Sequence, residues 1–503
     1  MPAQLTTKAQ VNGYRFLLRR LDHALIRRDV RMLHDPMRSQ SRSLWVGAVL
    51  GLLIVAGAAI LGFLRPQGAI GDALIVSGKQ SGALYVVVQS KNGDKTLHPV
   101  LNLASARLIA GKSESPKSVK DDKLGSLPRG PLLGIPGAPT ALPGSKQGTS
   151  STWTLCESTQ LSAGGSAAGV TGGLTTAIAG KLELGDRIGA AGADDALLVK
   201  RNSKTYLVYQ GRRAEIDPAN SVITRTLGLS GQKARPMGAG FVGATTEGPA
   251  LAVPTIARAG EPGPGRLSNV PVGGVISVPA NASGGAKLYV VLADGVQPVS
   301  EFTAALLRNA DSHGMREIAV VPPDALDRMP VLHTLATDHF PERAPRIVAA
   351  EDAPVACVSW AKNPGMASAQ DKDDTQVDGP GERATVTLLT GTVLPLPDSA
   401  EPVSLSTADG TGDRMDAVYL RPATGEYVQV TGIEPGSPRR ESLFYVADNG
   451  IRYGIADAAT AATLGLGDSP RLAPWSVIGQ LVPGPTLSAK DALTSYDSLP
   501  TGK

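Results

Sequence analysis

The stretch LYVVVQSKNGDKTLHPVLNLASARLI, Leu84 to Ile109, sets the grammar of the chain. Leu84-Tyr85-Val86-Val87-Val88 leads through Asn92-Gly93 to His98-Pro99-Val100, and a short helical segment, Leu103 to Ile109, follows. Asn-Gly between such runs is a strong hairpin signal, because both central turn positions need positive φ. The same order recurs three times. Thr205-Tyr206-Leu207-Val208-Tyr209 turns at Gly211 into Ala214-Glu215-Ile216 and a segment ending Leu227-Gly228-Leu229. Leu288 to Leu292 turns at Asp294-Gly295 into Val296 to Val299 and Phe302 to Leu307. Leu443 to Val446 turns at Asn449-Gly450 into Ile451 to Ile455 and a helix ending Leu464-Gly465-Leu466.

A later landmark follows each hairpin: Gly130-Pro131, Gly248-Pro249, Met329-Pro330 and Gly484-Pro485. Uneven intervals between the four units exclude a regular solenoid. The two long intervals hold Cys156 and Cys357, each beside β-rich text, Lys181 to Ile188 and Thr385 to Leu394. An elongated α+β body is expected, with a β-rich central domain and four diverged α+β repeat domains. The expected limits are 70–145, 191–265, 270–345 and 416–490 for the repeats, 150–190 and 350–415 for the central domain, and 491–503 for a tail.

Composition agrees with many turns and short strands. In 503 residues there are 58 Gly and 38 Pro, while aromatics make up only 4%. Residues 1–43 carry nine basic groups against three acidic ones, whereas the remainder is slightly acidic, so the net charge of +4 is an N-terminal property. That excludes a global nucleic-acid footprint.

Leu44 to Leu64, LWVGAVLGLLIVAGAAILGFL, is uncharged and bounded by Arg42 and Arg65. At 1.5 Å per residue it crosses a hydrocarbon core of about 30 Å. Ala56-Gly57-Ala58 resembles a cleavage site, but the long preceding region argues for an uncleaved anchor. The positive charge before the span places the N-terminus in the cytoplasm.

Within residues 1–43, Thr6 or Thr7 can cap a helix bearing Val11, Tyr14, Leu18, Leu21 and Leu25 at spacings of 3 and 4, ended by His34-Asp35-Pro36. Arg19, Arg20, Arg27 and Arg28 flank the stripe. A partner or the membrane lipid surface must bury it, and the 3-4 spacing is that of a helix–helix seam, so partner docking is favoured.

The two cysteines, Cys156 and Cys357, follow the span in mirrored settings, Trp153-Thr-Leu-Cys156 and Cys357-Val-Ser-Trp360. An even count in an oxidising compartment reads as one disulfide with the Trp rings packed near it; the alternative is two buried thiols.

Signals for chemistry are weak. Ala106 to Ser113 fits a permissive phosphate-loop pattern, making Gly111, Lys112 and Ser113 candidate nucleotide ligands, yet Leu103 to Ile109 reads as the repeat's own helix. Gly238-Ala-Gly240-Phe-Val-Gly243 matches the dinucleotide fingerprint only by letters. Asp371 to Glu382 departs from a calcium loop at Gln376 and Pro380. His333 and His339 lack a third zinc ligand, and no nucleophile elbow occurs. No catalytic residue, metal or cofactor is expected.

The chain resembles the EccB family of type VII (ESX) secretion systems. The resemblance rests on Leu5 to Arg20, Arg28 to Met32, Pro36, Ser41-Arg-Ser, Arg65-Pro66, Leu103 to Arg107, Gly134 to Pro139, the Trp153/Cys156 and Cys357/Trp360 pairs, Gly450 to Gly454 and Ala473-Pro-Trp475. It implies four repeats, similar to a phage-lysin wall-binding unit, around a β core, and a periplasmic Cys156–Cys357 disulfide. It also implies an inner-membrane assembly with EccC as motor, EccD, EccE and a mycosin protease, and homo-oligomerisation through the periplasmic body. The expected role is therefore a structural export subunit; the alternatives are a nucleotide hydrolase using Lys112, an activity also proposed for the family, and a cell-wall-binding module.

Overall fold

The computed structural model describes residues 7–28, 30–31, 36–64, 70–90, 92–161, 173–279, 285–362 and 383–496. The Asp371 to Glu382 loop lies outside the described residues. The chain divides into two compact units, Met1–Gly71 and Asp72–Lys503.

Among its described residues the first unit has two helices. α1, Lys8–Arg27, starts with a capping box between Thr7 and Gln10 and stops at Arg28, which takes the left-handed conformation (φ 54°). It therefore ends before the expected His34-Asp35-Pro36 stop. Pro36 instead opens α2, Pro36–Leu64, at the first helical position, where its missing N–H costs nothing. Within α2, Ser41–Leu61 is long and apolar enough to cross a membrane.

In the second unit, four small sheets share one construction. Each begins with a three-stranded antiparallel meander: Ile75–Gly78, Leu84–Gln89, Lys95–Pro99 in the first; Asp195–Arg201, Lys204–Tyr209, Arg212–Ile216 in the second. The third has Val275–Val278, Lys287–Leu292, Gly295–Val299, and the fourth Gly425–Thr431, Leu443–Ala447, Ile451–Ile455. A helix follows: α3 (Leu103–Ala110), Ser221–Thr226, Glu301–Ala310 or Ala458–Leu464. The chain then returns to pair in parallel with the first strand through Lys117–Val119, Arg235–Pro236, Ala319–Val320 or Arg471–Pro474.

Local chemistry dictates these helices. Asn102, Asn220, Ser300 and Asp457 each accept a backbone N–H of the first turn, a cap whose loss costs about 1 kcal/mol. Gly111, Gly228 and Gly465, all at positive φ, stop three of the four. The Gly-Pro landmark also has a function in the fold. Gly130, Gly248 and Gly484 donate to Leu97, Arg213 and Arg452 of their third strands at 2.8–3.0 Å. In the third repeat, Val296 donates to Pro330 at 2.9 Å in the corresponding place. A Cβ at Gly484 would strike Tyr453 and one at Gly130 would strike His98, so glycine admits the close return.

The central sheet has seven strands in the order Val403–Ser404, Ala417–Tyr419, Gly173–Ala179, Ser151–Thr159, Val355–Lys362, Thr385–Gly391, Ile188–Ala190. Cys156 faces Cys357 across the antiparallel Ser151–Thr159 and Val355–Lys362 pair and is joined to it, with Cα atoms 4.0 Å apart. Trp153 faces Trp360 in the same ladder. The tryptophans do not pack beside the disulfide as expected. Trp and Cys are three positions apart on each strand, an odd offset, so the two pairs occupy opposite faces. The disulfide packs with Ile178, Ile188, Val355 and Leu389. The tryptophans join Leu155, Phe241, Val428 and Val477 in the cluster that binds the sheet to the second and fourth repeats.

Repeats associate through their helices. Ala104 and Leu108 of α3 share a core with Tyr445, Ala461 and Leu464 of the fourth repeat, and Phe302 and Leu306 of the third enter the core of the second. Ser495–Tyr496, near the end of the chain, pairs with Leu132–Leu133 of the first repeat.

Candidate docking helix and nucleotide motif

On α1, Val11, Tyr14, Leu18, Leu21 and Leu25 fall within an arc of roughly 80° at 100° per residue. All five are exposed, Tyr14 at 64% and Leu25 at 78%. Arg20 and Arg27 project from the far side of the helix and Arg19 from about a third of a turn away, so they form a separate basic face rather than flanking the stripe. Arg28 lies beyond the helix in its left-handed cap.

Gly111, Lys112 and Ser113 follow α3 instead of preceding a helix, and Gly111 is its stop residue. A phosphate cradle needs backbone N–H groups at a helix N-terminus. Here two C-terminal ends converge. Arg107 of α3 donates from Nη1 to the Leu464 carbonyl, at the end of Ala458–Leu464, at 2.6 Å and from Nε to the Glu114 carbonyl, in the loop after α3, at 3.3 Å. The adjoining cleft is lined by Gly111, Lys112, Ser113, Glu114, Ala462 and Thr463. The partial negative charge of two carbonyl ends suits a guanidinium and opposes a triphosphate. Gly238, the first glycine of the dinucleotide-like pattern, caps a five-residue helix, Ala239–Gly243, that joins two-residue strands at opposite edges of the second repeat's sheet rather than neighbouring parallel strands.

Glu426 and Glu157 are two of the three buried carboxylates among the described residues, the third being Asp416. Glu426 accepts from Ser145 at 2.6 Å and pairs with Arg471 at 3.1 Å, tying the linker before the central sheet to the fourth repeat; burial pushes its carboxyl up. Glu157, next to Cys156, is fully buried, and both its oxygens accept from the Gly238 N–H, at 2.8 and 3.1 Å. Burial pushes Glu157 up to about 7, against the pull of the Gly238 hydrogen bond. Sequence gave no cue to either, because each is defined by a partner distant in the chain.

Comparison with known proteins agrees with this architecture. The family model described as type VII secretion system ESX-1, transport TM domain B, matches residues 3–501. The chain belongs to the EccB family. It is 39% identical over 506 residues to the ESX-3 secretion system ATPase EccB3 of Mycolicibacterium smegmatis, covering 98% of this chain and 92% of that protein. It is 36% identical over 503 residues to the ESX-5 secretion system ATPase EccB5 of Mycobacterium tuberculosis, covering 99% and 94%. Among solved structures, a chain of an intact ESX-5 inner membrane complex matches with a TM-score of 0.71 at 33% identity, covering all of this chain and 98% of that one. An EccB3 dimer from the ESX-3 core complex matches at 0.67 and 36%, covering 84% and 100%. With its family and the α2 span, this EccB-family chain is a membrane protein with a large β-rich body.

The two relatives named here carry ATPase in their names, and the Gly111–Ser113 geometry makes a direct test available. Lys112→Ala in the purified full chain is expected to leave ATP-dependent phosphate release at the level of the unaltered protein. A tenfold or greater fall would place Lys112 on a nucleotide.

Proposed function

We propose that this EccB-family chain is a non-catalytic structural subunit of a type VII secretion inner-membrane complex, anchored by α2 and docked through the apolar stripe of α1. The observation that carries the docking is the exposed row Val11, Tyr14, Leu18, Leu21 and Leu25 on a helix of the Met1–Gly71 unit whose one buried residue, among those described, is His23. Arg19 and Arg20 offer a second, basic contact to acidic side chains or lipid headgroups.

The charge before the span supports a cytoplasmic N-terminus and a periplasmic body. A disulfide buried at the centre of that body suits an oxidising compartment. EccC, EccD, EccE and a mycosin protease are the proposed partners, with self-association through the body, as a relative's dimer suggests. The test is purification of the tagged full chain in mild detergent with mass-spectrometric identification of what comes with it. Recovery of EccC, EccD and EccE supports the assignment, and recovery of the chain alone overturns it.

A further inference from the structure

Three elements meet at Glu157: the central Ser151–Thr159 strand that carries it, the Gly238 end of the Ala239–Gly243 helix in the second repeat, and the Asp409 to Asp416 loop. The contact is backbone on backbone. A Cβ at Gly238 would lie 1.6 Å from the Gly412 carbonyl oxygen, and a Cβ at Gly412 would lie 3.0 Å from Glu157 Oε1.

The loop is held on the sheet from its other side. Asp416 accepts from the Thr175, Asp409 and Gly410 N–H groups, and Thr175 donates to the Gly412 carbonyl at 3.2 Å. Asp413 pairs with Arg201 and accepts from the Ala239 N–H, linking loop to repeat again. Glu157 is thus enclosed at a junction between the central domain and the second repeat.

An ionised carboxylate has about four acceptor sites to satisfy. Among the described residues, Glu157 has one N–H for both oxygens and forms no ion pair. Glu426 shows the contrast, since Arg471 and Ser145 meet its charge directly. We propose that Glu157 is a proton-operated latch: protonated, it holds the second repeat and the Asp409 to Asp416 loop closed on the central sheet; ionised, it loosens that joint.

The surrounding charges set where it operates. Desolvation raises the Glu157 carboxyl most, the Gly238 N–H opposes it, Asp413 raises it further, and Arg235 and Arg201 lower it, with an outcome of about 7. Glu351 acts on Arg235 rather than on Glu157. Asp409 and Asp413 lie below the usual carboxylate range through their own hydrogen bonds and stay charged throughout.

Below the ordinary value of 4.5, folded and unfolded chains both hold the proton. Between 4.5 and about 7 only the folded chain holds it, so stability falls as pH rises through that window.

The test is hydrogen exchange on the full-length protein in mild detergent from about pH 5 to about pH 8, expressed as protection factors so that the intrinsic pH dependence cancels. Peptides covering 238–244 and 409–416 are expected to lose about tenfold or more in protection as pH rises from about 5, and to level off above about 7. Glu157→Gln, which cannot ionise, should make their protection independent of pH. The same loss in Glu157→Gln, or no loss in the unaltered chain, overturns the latch. Asp413→Asn decides the matter if Glu157→Gln does not fold, since removing the neighbouring charge should make the loss level off at lower pH. An unmoved levelling-off point would show that another group titrates.

Discussion

Leu18→Asp with Leu21→Asp is expected to release this EccB-family chain from its membrane complex while leaving the β-rich body folded. Each leucine contributes about 1.5–3 kcal/mol if its exposed side chain is fully buried by a partner helix, and each aspartate adds the cost of a desolvated charge. A combined loss of at least about 3 kcal/mol weakens docking more than a hundredfold. α1 belongs to the Met1–Gly71 unit, whereas Asp72–Lys503 forms its own compact unit. Co-purification of partners measured beside thermal unfolding of the same sample checks both halves. Retained partners with the double substitution would show that the stripe is not the contact. Arg19→Glu with Arg20→Glu is expected to have a smaller, salt-sensitive effect, since these residues occupy the separate basic face.

Removing the disulfide should be the most damaging change to the body. Cys156 and Cys357 are separated by 201 positions, and a crosslink of that span constrains the unfolded chain by up to about 5 kcal/mol in the entropy model. Both sulfurs are fully buried against Ile178 and Leu389, so Cys156→Ala with Cys357→Ala also leaves a small void. A loss of about 2–5 kcal/mol is expected, read as a fall in the denaturant midpoint of the body under non-reducing conditions. Unaltered protein treated with reductant after partial unfolding should approach the same value. A midpoint that does not move would mean that the central sheet is held by its strand pairing and its tryptophan face alone.

Much of this architecture was legible because it is written in local chemistry. Asn92-Gly93, Asp294-Gly295 and Asn449-Gly450 mark hairpins that the structure contains. The first strand of each meander was missed. Ile75–Gly78 and Val275–Val278 are four-residue apolar runs that periodicity alone does not separate from core helix. For Asp195–Arg201 a cue was present, because Asn202, at positive φ, turns it directly into Lys204–Tyr209. The tryptophan placement was also decidable from the sequence, since three residues along a strand always reverse the face.

The Gly111–Ser113 motif shows how letters mislead without context. Its glycine stands where Gly228 and Gly465 stand in sister repeats, after a helix, and comparing repeats identifies it as a stop signal. The Glu157 junction was not readable at all. It depends on Gly238 and Gly412, 81 and 255 positions away, meeting over one strand. The α1 stripe lies between these cases, for it is plain in the sequence while the proposed docking depends on another chain.

The most direct test of the scaffold role is native size. Tagged full-length chain extracted in mild detergent should run on a native gel as a megadalton-scale band, and Leu18→Asp with Leu21→Asp should collapse that band to a monomer or dimer. A monomer or dimer from the unaltered chain would contradict assembly into an export complex and leave wall binding or nucleotide hydrolysis to explain the body.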